Sequence, residues 1–383
     1  MKKIAVVTST RAEYGLLLPV IQELRKRENN ELKVDLIVTG THLSEQYGMT
    51  IDEIEERIDY KIPVSVKSDS EQDISHNQAD VLIKFSELFY REKYNAIVLL
   101  GDRYETLAIA IAAGNSKIPV FHLCGGDTTE GAIDEWIRHS ITKISYLHFV
   151  TNEDSRRRVI QLGEHPSRVF NYGSTSIDNI QTIADMSKLE ALNSIGLSDC
   201  KFALCTYHPV TMETESVDGY IADFVNAIKT FPEIQFIVTK SNADQGGSRI
   251  NDLLDEAAGN IPNIHVYSSL GVKRYLSLMK YAEFVLGNSS SGIIEAPAVF
   301  TPTVNIGDRQ KGRLQSDSVI NCGTGEEDIV SAINMVMSDS HKAVCRNIVS
   351  PYGEGNSAKQ ISEKILEVVL NWRIDLKKQF FDL

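Results

Sequence analysis

The amino-acid sequence predicts an α/β protein made of two doubly wound, parallel-sheet domains facing a cleft. Three observations carry this expectation. Short apolar runs alternate with helix-period segments along the chain, as β–α–β units require. The alternation stops near residues 171–176 and then restarts. The 383 residues also exceed what one core usually serves, and suit two domains of about 150–200 residues.

In the first half, Ile4–Thr8, Val34–Thr39, Ala96–Leu100, Val120–Leu123 and Leu147–Val150 are expected strands. They are near-continuous apolar runs, as in a sheet covered on both faces. Tyr14–Lys26 places Leu17, Val20, Ile21 and Leu24 at helical spacing. Ala79–Tyr90 and Ile133–Ile144 are also expected helices, and Tyr104–Gly114 is rich enough in alanine to lie close on a sheet. In the second half, Phe202–Thr206, Ile234–Thr239, Ile264–Tyr267, Phe284–Leu286 and Thr303–Ile306 are expected strands. The helix Val217–Thr230 carries Ile221, Phe224, Val225 and Ile228 on one face. Ile361–Phe381 is expected as one or two helices, with Ile365, Leu366, Val369 and Leu370 apolar. The expected domains are 1–172 and 173–360, with 361–383 crossing back to the first.

Charge and cysteine content exclude several classes. Lys plus Arg number 39 and Asp plus Glu 52, a net charge of −13. Such a chain does not hold nucleic acid through its overall field, although a few arginines and helix N-termini can bind one phosphate locally. Cys124, Cys200, Cys205, Cys322 and Cys345 show neither disulfide-framework nor zinc spacing, so no metal is expected. The apolar start fails at Thr8-Ser9-Thr10-Arg11, and no run nears the roughly 20 apolar residues of a membrane span. A cytoplasmic protein without membrane association is expected.

Ligands of open parallel sheets bind beyond the carboxyl ends of the strands, so the loops there carry the functional reading. The first loop, Thr8 to Gly15, lacks the dinucleotide fingerprint and offers Arg11 at a helix start. The next is Gly101-Asp102-Arg103, where Gly101 leaves Asp102 unshielded. Then follows Cys124-Gly125-Gly126-Asp127 through Asp134 and Arg138, four apart on one helix face and able to form a plain salt bridge. Cys205 to Thr211 sets His208 at a strand end, a residue suited to proton transfer near neutral pH. Gly287 to Pro297 brings Ser289, Ser290, Ser291 and Gly292 to a helix start, a cradle for a diphosphate, and Glu295 one turn in, within reach of a ribose diol. Arg309, Lys311 and Arg313 add positive charge. These loops together predict an enzyme with a nucleoside-diphosphate ligand and acid–base chemistry by carboxylates and a histidine.

The stretches Thr10-Arg11-Ala12-Glu13-Tyr14-Gly15, Gly101-Asp102-Arg103-Tyr104-Glu105, Gly131-Ala132-Ile133-Asp134-Glu135 with Ile137-Arg138-His139, Gly287 to Gly292, and Arg309 to Arg313 resemble the UDP-N-acetylglucosamine 2-epimerase family. The resemblance covers nearly the whole chain and is strongest to the hydrolysing branch, which makes N-acetylmannosamine for sialic acid synthesis. It implies Rossmann-like domains in a glycosyltransferase-B architecture, with UDP held mainly by the second, no cofactor, and a homodimer or homotetramer. The implied reaction removes the C2 proton of a UDP-amino sugar, expels UDP by anti elimination, and hydrates the resulting 2-acetamidoglucal. By the same resemblance, Asp102, Asp134 and His208 match acid–base or intermediate-stabilising residues. Arg11 and Arg138 match residues that organise the phosphate site. Ser289, Ser290 and Ser291 match the diphosphate turn and Glu295 the ribose carboxylate. Which carboxylate takes the proton stays open. This chain departs from the family at Cys124, where many members carry a catalytic glutamate. Asp127 or Glu130 could supply that carboxylate. Alternatively, Cys124 marks a different sugar, the 2,4-diacetamido-2,4,6-trideoxy substrate of the legionaminic acid route. A catalytically idle UDP-sugar-binding protein is the reading from another class.

Overall fold

Strands that are apolar on both faces need helices above and below them, and the first half of the chain supplies both layers. In this computed structural model the described residues are 1–45, 48–65, 71–129, 133–209, 217–241 and 247–383. The chain divides into two units. One comprises Met1–Asp127, Ile133–Asp178 and Gly355–Leu383, the other Thr128–Ala132 and Asn179–Glu354.

Among the described residues, the first unit holds β1 (Lys2–Thr8), β2 (Leu32–Thr39), β3 (Tyr60–Ile62), β4 (Ala96–Leu100), β5 (Val120–Leu123), β6 (Leu147–Val150) and β7 (Val169–Asn171). They form one sheet in the order β3-β2-β1-β4-β5-β6-β7, with every pair parallel. Alternation along β1 shows how the faces fill. Ile4 and Val6 join a core with Leu17, Ile21 and Ile365, whereas Ala5 and Val7 join another with Val81, Phe85 and Ile109. Each such aliphatic side chain contributes about 1.5–3 kcal/mol when fully buried. The strand order reverses between β1 and β4, so the loops after them stand at a topological switch point. The loop after β1 enters the helix Arg11–Arg25, where the Thr10 hydroxyl accepts the Glu13 N–H at 3.3 Å.

The second unit holds β8 (Phe202–Thr206), β9 (Gln235–Thr239), β10 (Ile264–Tyr267), β11 (Val285–Gly287), β12 (Thr303–Ile306) and β13 (Val319–Cys322). Their order is β10-β9-β8-β11-β12-β13, again parallel. Its switch point lies between β8 and β11, and the loops after β8, β11 and β12 carry the expected His208, serine and arginine segments.

Three strands were not legible in the sequence. β3, β7 and β13 are edge strands of only three or four residues, too short to show a strand periodicity. The expected helical segment Ile361–Phe381 is also corrected. The helix is Ser357–Asn371, and residues 372–383 are not helical. Asp178, far away in sequence, caps its start, accepting the Ser357 and Ala358 N–H groups at 3.2 Å each. Beyond it the tail trades helix bonds for tertiary ones. The Lys378 ammonium donates to both Glu164 oxygens and to the Lys143 and Ser145 carbonyls, and the Phe381 N–H donates to Gly163 O. Among the described residues no helix is long and apolar enough to cross a membrane.

Candidate active site

The first unit gathers its expected residues around one guanidinium. Arg138, on the helix Asp134–Ile144, is 1% exposed. Its Nε donates to Asp102 Oδ2 at 2.8 Å, and a second nitrogen donates to the same oxygen. Its remaining nitrogen donates to the Asp127 carbonyl at 2.8 Å and to Glu135 Oε2 at 3.0 Å. Burial opposes the charge of Arg138, but Asp102, Asp127 and Glu135 outweigh it and hold the group above its ordinary range. One arginine therefore ties the loop after β4 to the loop after β5. Gly101, at φ +84°, turns the first of these loops, and its carbonyl accepts from His122 Nε2 at 2.7 Å. A carbonyl only accepts, so that ring nitrogen carries the hydrogen. Burial holds His122 down at about 4, hence neutral.

Asp134 begins the same helix and is half-buried. Asp127 is held through one oxygen of its carboxylate. Its Oδ1 accepts from Ser155 Oγ at 2.5 Å, Thr151 Oγ1 at 3.4 Å and Asn152 Nδ2 at 3.5 Å. That binds its side chain to the start of the helix Glu153–Gln161. Beside it, a Cβ on Gly126 would stand 2.3 Å from the Ser155 carbonyl, so only glycine lets this loop lie so close. Cys124 is half-buried with φ +63°, and its N–H donates to Phe149 O at 2.9 Å. Glu130, Gly131 and Ala132, and Val210 and Thr211 after His208, lie outside the described residues. Arg11 is the first residue of its helix, 3.9 Å from Glu53.

Glu13 is a residue that sequence reasoning assigned no role. Its Oε2 accepts both the Ser9 N–H and the Ser9 hydroxyl at 2.8 Å, which pins the loop after β1. Burial pushes it up to about 7, against the pull of Arg103. Its place at the fourth position of the Thr10–Glu13 cap was the available signal.

In the second unit, the serine segment opens the helix Ser291–Ala298. Tyr275 Oη and Ser291 Oγ lie 2.6 Å apart, and Ser291 Oγ donates to Ser289 Oγ at 3.1 Å. Ser289 and Ser290 are half-buried, as is Glu295 one turn on. A Cβ on Gly292 would come 2.7 Å from Thr303 Cγ2, so glycine lets the helix settle on β12. His208 is 8% exposed, with Nδ1 3.2 Å from Ser241 Oγ. Burial, and then Arg309, hold it down at about 3. With burial as the main cause, the His208 imidazole is neutral near pH 7. The Ser241 hydroxyl can donate to Nδ1, leaving Nε2–H to meet an anion. Arg309 donates to the Asn288 carbonyl at 3.1 Å, and the half-buried Arg313 follows on the same loop. The arrangement is a serine turn at a helix start, a neutral imidazole and a guanidinium on adjacent loops of one sheet, which suits a diphosphate.

Two parallel α/β units with these strand orders define a doubly wound protein of glycosyltransferase-B-like architecture. A family model described as UDP-N-acetylglucosamine 2-epimerase matches residues 23–366, and the chain belongs to that family. It is 39% identical over 331 residues to a Campylobacter jejuni protein named GDP/UDP-N,N'-diacetylbacillosamine 2-epimerase (hydrolyzing), covering 85% of this chain and 86% of that one. It is 36% identical to the polysialic acid biosynthesis protein P7 of Escherichia coli, over 100% of this chain and 98% of the relative. In fold it resembles the crystal structure of UDP-GlcNAc 2-epimerase from Neisseria meningitidis bound to UDP-GlcNAc. That match has TM-score 0.82 and 21% identity, and covers 96% of this chain and 100% of that one.

Proposed function

We propose that this chain is a hydrolysing 2-epimerase of a UDP-2-acetamido sugar. The observation that carries the reading is the buried Arg138 fork, which fixes Asp102 at a strand end with Asp134 on the same helix. C2 carries no carbonyl, so its proton is weakly acidic and its removal needs a base held in place. In this reading Asp102 and Asp134 handle the C2 proton and the incoming water. The C1–oxygen bond to UDP breaks as the C2 proton leaves, giving the 2-acetamidoglucal. Water then adds hydroxyl at C1 and hydrogen at C2 on the opposite face. The serine turn, Arg309, Arg313 and neutral His208 carry the departing diphosphate, with Arg11 as a further phosphate partner. Glu295 holds the ribose.

Two sugars are weighed. UDP-N-acetylglucosamine is the substrate that the family's name supports, with N-acetylmannosamine as product. The 2,4-diacetamido-2,4,6-trideoxy sugar is favoured by the Campylobacter relative's name and by Cys124, a small uncharged group where the family resemblance implies a glutamate. Incubation of each UDP-sugar in deuterated water, without added metal or NAD, tests both. Equal release of UDP and of free 2-epimer carrying deuterium at C2 is the expected result. Preference for the diacetamido sugar assigns Cys124 to specificity, and efficient turnover of UDP-N-acetylglucosamine alone removes that assignment. Intact 2-epimerised UDP-sugar would refute hydrolysis. Tight binding of both without turnover would leave a UDP-sugar-binding protein.

A further inference from the structure

The pairing of β8 with β11 ends at Thr206 and Gly287, yet the loops beyond do not part. The Asn288 N–H donates to Thr206 O at 3.2 Å and continues the ladder by one step. Its side-chain amide then acts as a further peptide group. Asn288 Oδ1 accepts the His208 N–H at 2.7 Å, and Nδ2 donates to His208 O at 2.8 Å. The Asn288 carbonyl accepts from Arg309 at 3.1 Å and from Gln310 Nε2 at 2.8 Å. Asn288 is 1% exposed and Gln310 fully buried, so these bonds form away from solvent competition. The preceding Gly287 has φ +130°, and a Cβ there would lie 2.0 Å from Thr206 O. The turn that aims Asn288 at His208 is therefore open only to glycine.

We propose that Asn288 is a positioning residue that sets the His208 imidazole relative to the serine turn and Arg309. The division of labour is specific. The side chain of Asn288 holds His208, whereas its main chain holds Arg309 and Gln310. A side-chain substitution should thus displace the histidine and leave the arginine loop tied. The proposal rests on the diphosphate reading of the second unit for its effect on turnover, but not for its effect on His208 itself.

Two variants test it. Asn288→Asp keeps the acceptor for the His208 N–H and sets an oxygen against the His208 carbonyl. Asn288→Ser removes both bonds without adding charge, and serves if the Asp variant does not fold. Long-range proton–nitrogen spectra of the full chain are recorded first, with the His208 signals identified by their loss in His208→Ala. The expected result is a shift of the His208 ring nitrogens in the folded Asn288 variant, and unmoved signals overturn the proposal whatever the enzyme's substrate. Turnover follows. A displacement near 1 Å predicts a drop of about 10²-fold in kcat. The double variant with His208→Ala should lose no more than His208→Ala alone, because both changes act through one imidazole. Losses that multiply would overturn the proposal. If the wild type bound no UDP while the His208 signals still moved, the functional reading would fail and the positioning role would stand.

Discussion

Glu13→Gln should stabilise the first unit, and increasingly so as pH rises. The Glu13 carboxyl is 7% exposed, and among the described residues its Oε1 has no hydrogen-bond partner. Burial, opposed by Arg103 and reinforced by Glu105, raises it from 4.5 to about 7. Below pH 4.5 the acid is protonated in both folded and unfolded chains and costs nothing. Between 4.5 and about 7 the unfolded chain releases the proton while the folded one keeps it, so stability falls with rising pH. At about 1.4 kcal/mol per pH unit, the full loss is ~3 kcal/mol and is complete above pH 8. Glutamine imitates the protonated acid, because its amide oxygen can still accept both Ser9 donors. The variant should match the wild type near pH 4.5 and exceed it by up to ~3 kcal/mol at pH 8. A chain of two units need not unfold in one step. Native-state exchange of amides in β1 and Arg11–Arg25 is therefore the assay, read from pH 5 to 8. A difference that stays flat with pH would refute the burial argument, and a deficit at pH 8 would show that Glu13 works as a carboxylate.

Arg138→Met should cost roughly 3 kcal/mol, since it removes the buried guanidinium that donates to Asp102 and to the Asp127 carbonyl. Arg138→Lys should recover only part of both stability and turnover, because an ammonium cannot fork between them; thermal melting and initial rates check the pair. Lys378→Met should loosen the tail and leave Glu164 with His148 and Lys143 as donors. Burial alone would raise Glu164, but His148, Lys143 and Lys378 bring it to about 2, so its contribution is present above pH 4.5 and fades toward pH 2. The variant's deficit, roughly 2–3 kcal/mol at pH 7, should shrink in the same interval, as urea titrations would show. Gly287→Ala should abolish the cooperative melting of the second unit, since the methyl has no room against Thr206 O.

The interior strands were legible because a strand buried on both faces must be apolar throughout. Ala96–Leu100, Val120–Leu123, Leu147–Val150, Phe202–Thr206 and Thr303–Ile306 have the expected bounds, as does the edge strand Ile264–Tyr267, where Ile264 and Val266 pack into the core. β3, β7 and β13 have only three or four residues each, too few for an apolar run to stand out, although Val169, Phe170, Ile320 and Cys322 pack into the cores. The tail misled the helical reading because Ile374, Leu376, Phe380 and Phe381 continue an apolar spacing. Their segment is extended by Lys378 reaching Glu164, a partner more than 200 residues away in sequence.

By itself the sequence determined two parallel α/β units, their family, and which strand-end loops to read, because periodicity and loop chemistry are local properties. The tertiary structure alone decided what each side chain does there. It gave Arg138 to Asp102 and to the Asp127 carbonyl, turned the Asp127 carboxylate toward Ser155, left His208 neutral, and made Asn288 its clamp. Those outcomes depend on burial and on partners from distant loops, and neither quantity is written in the spacing of residues along one strand or helix.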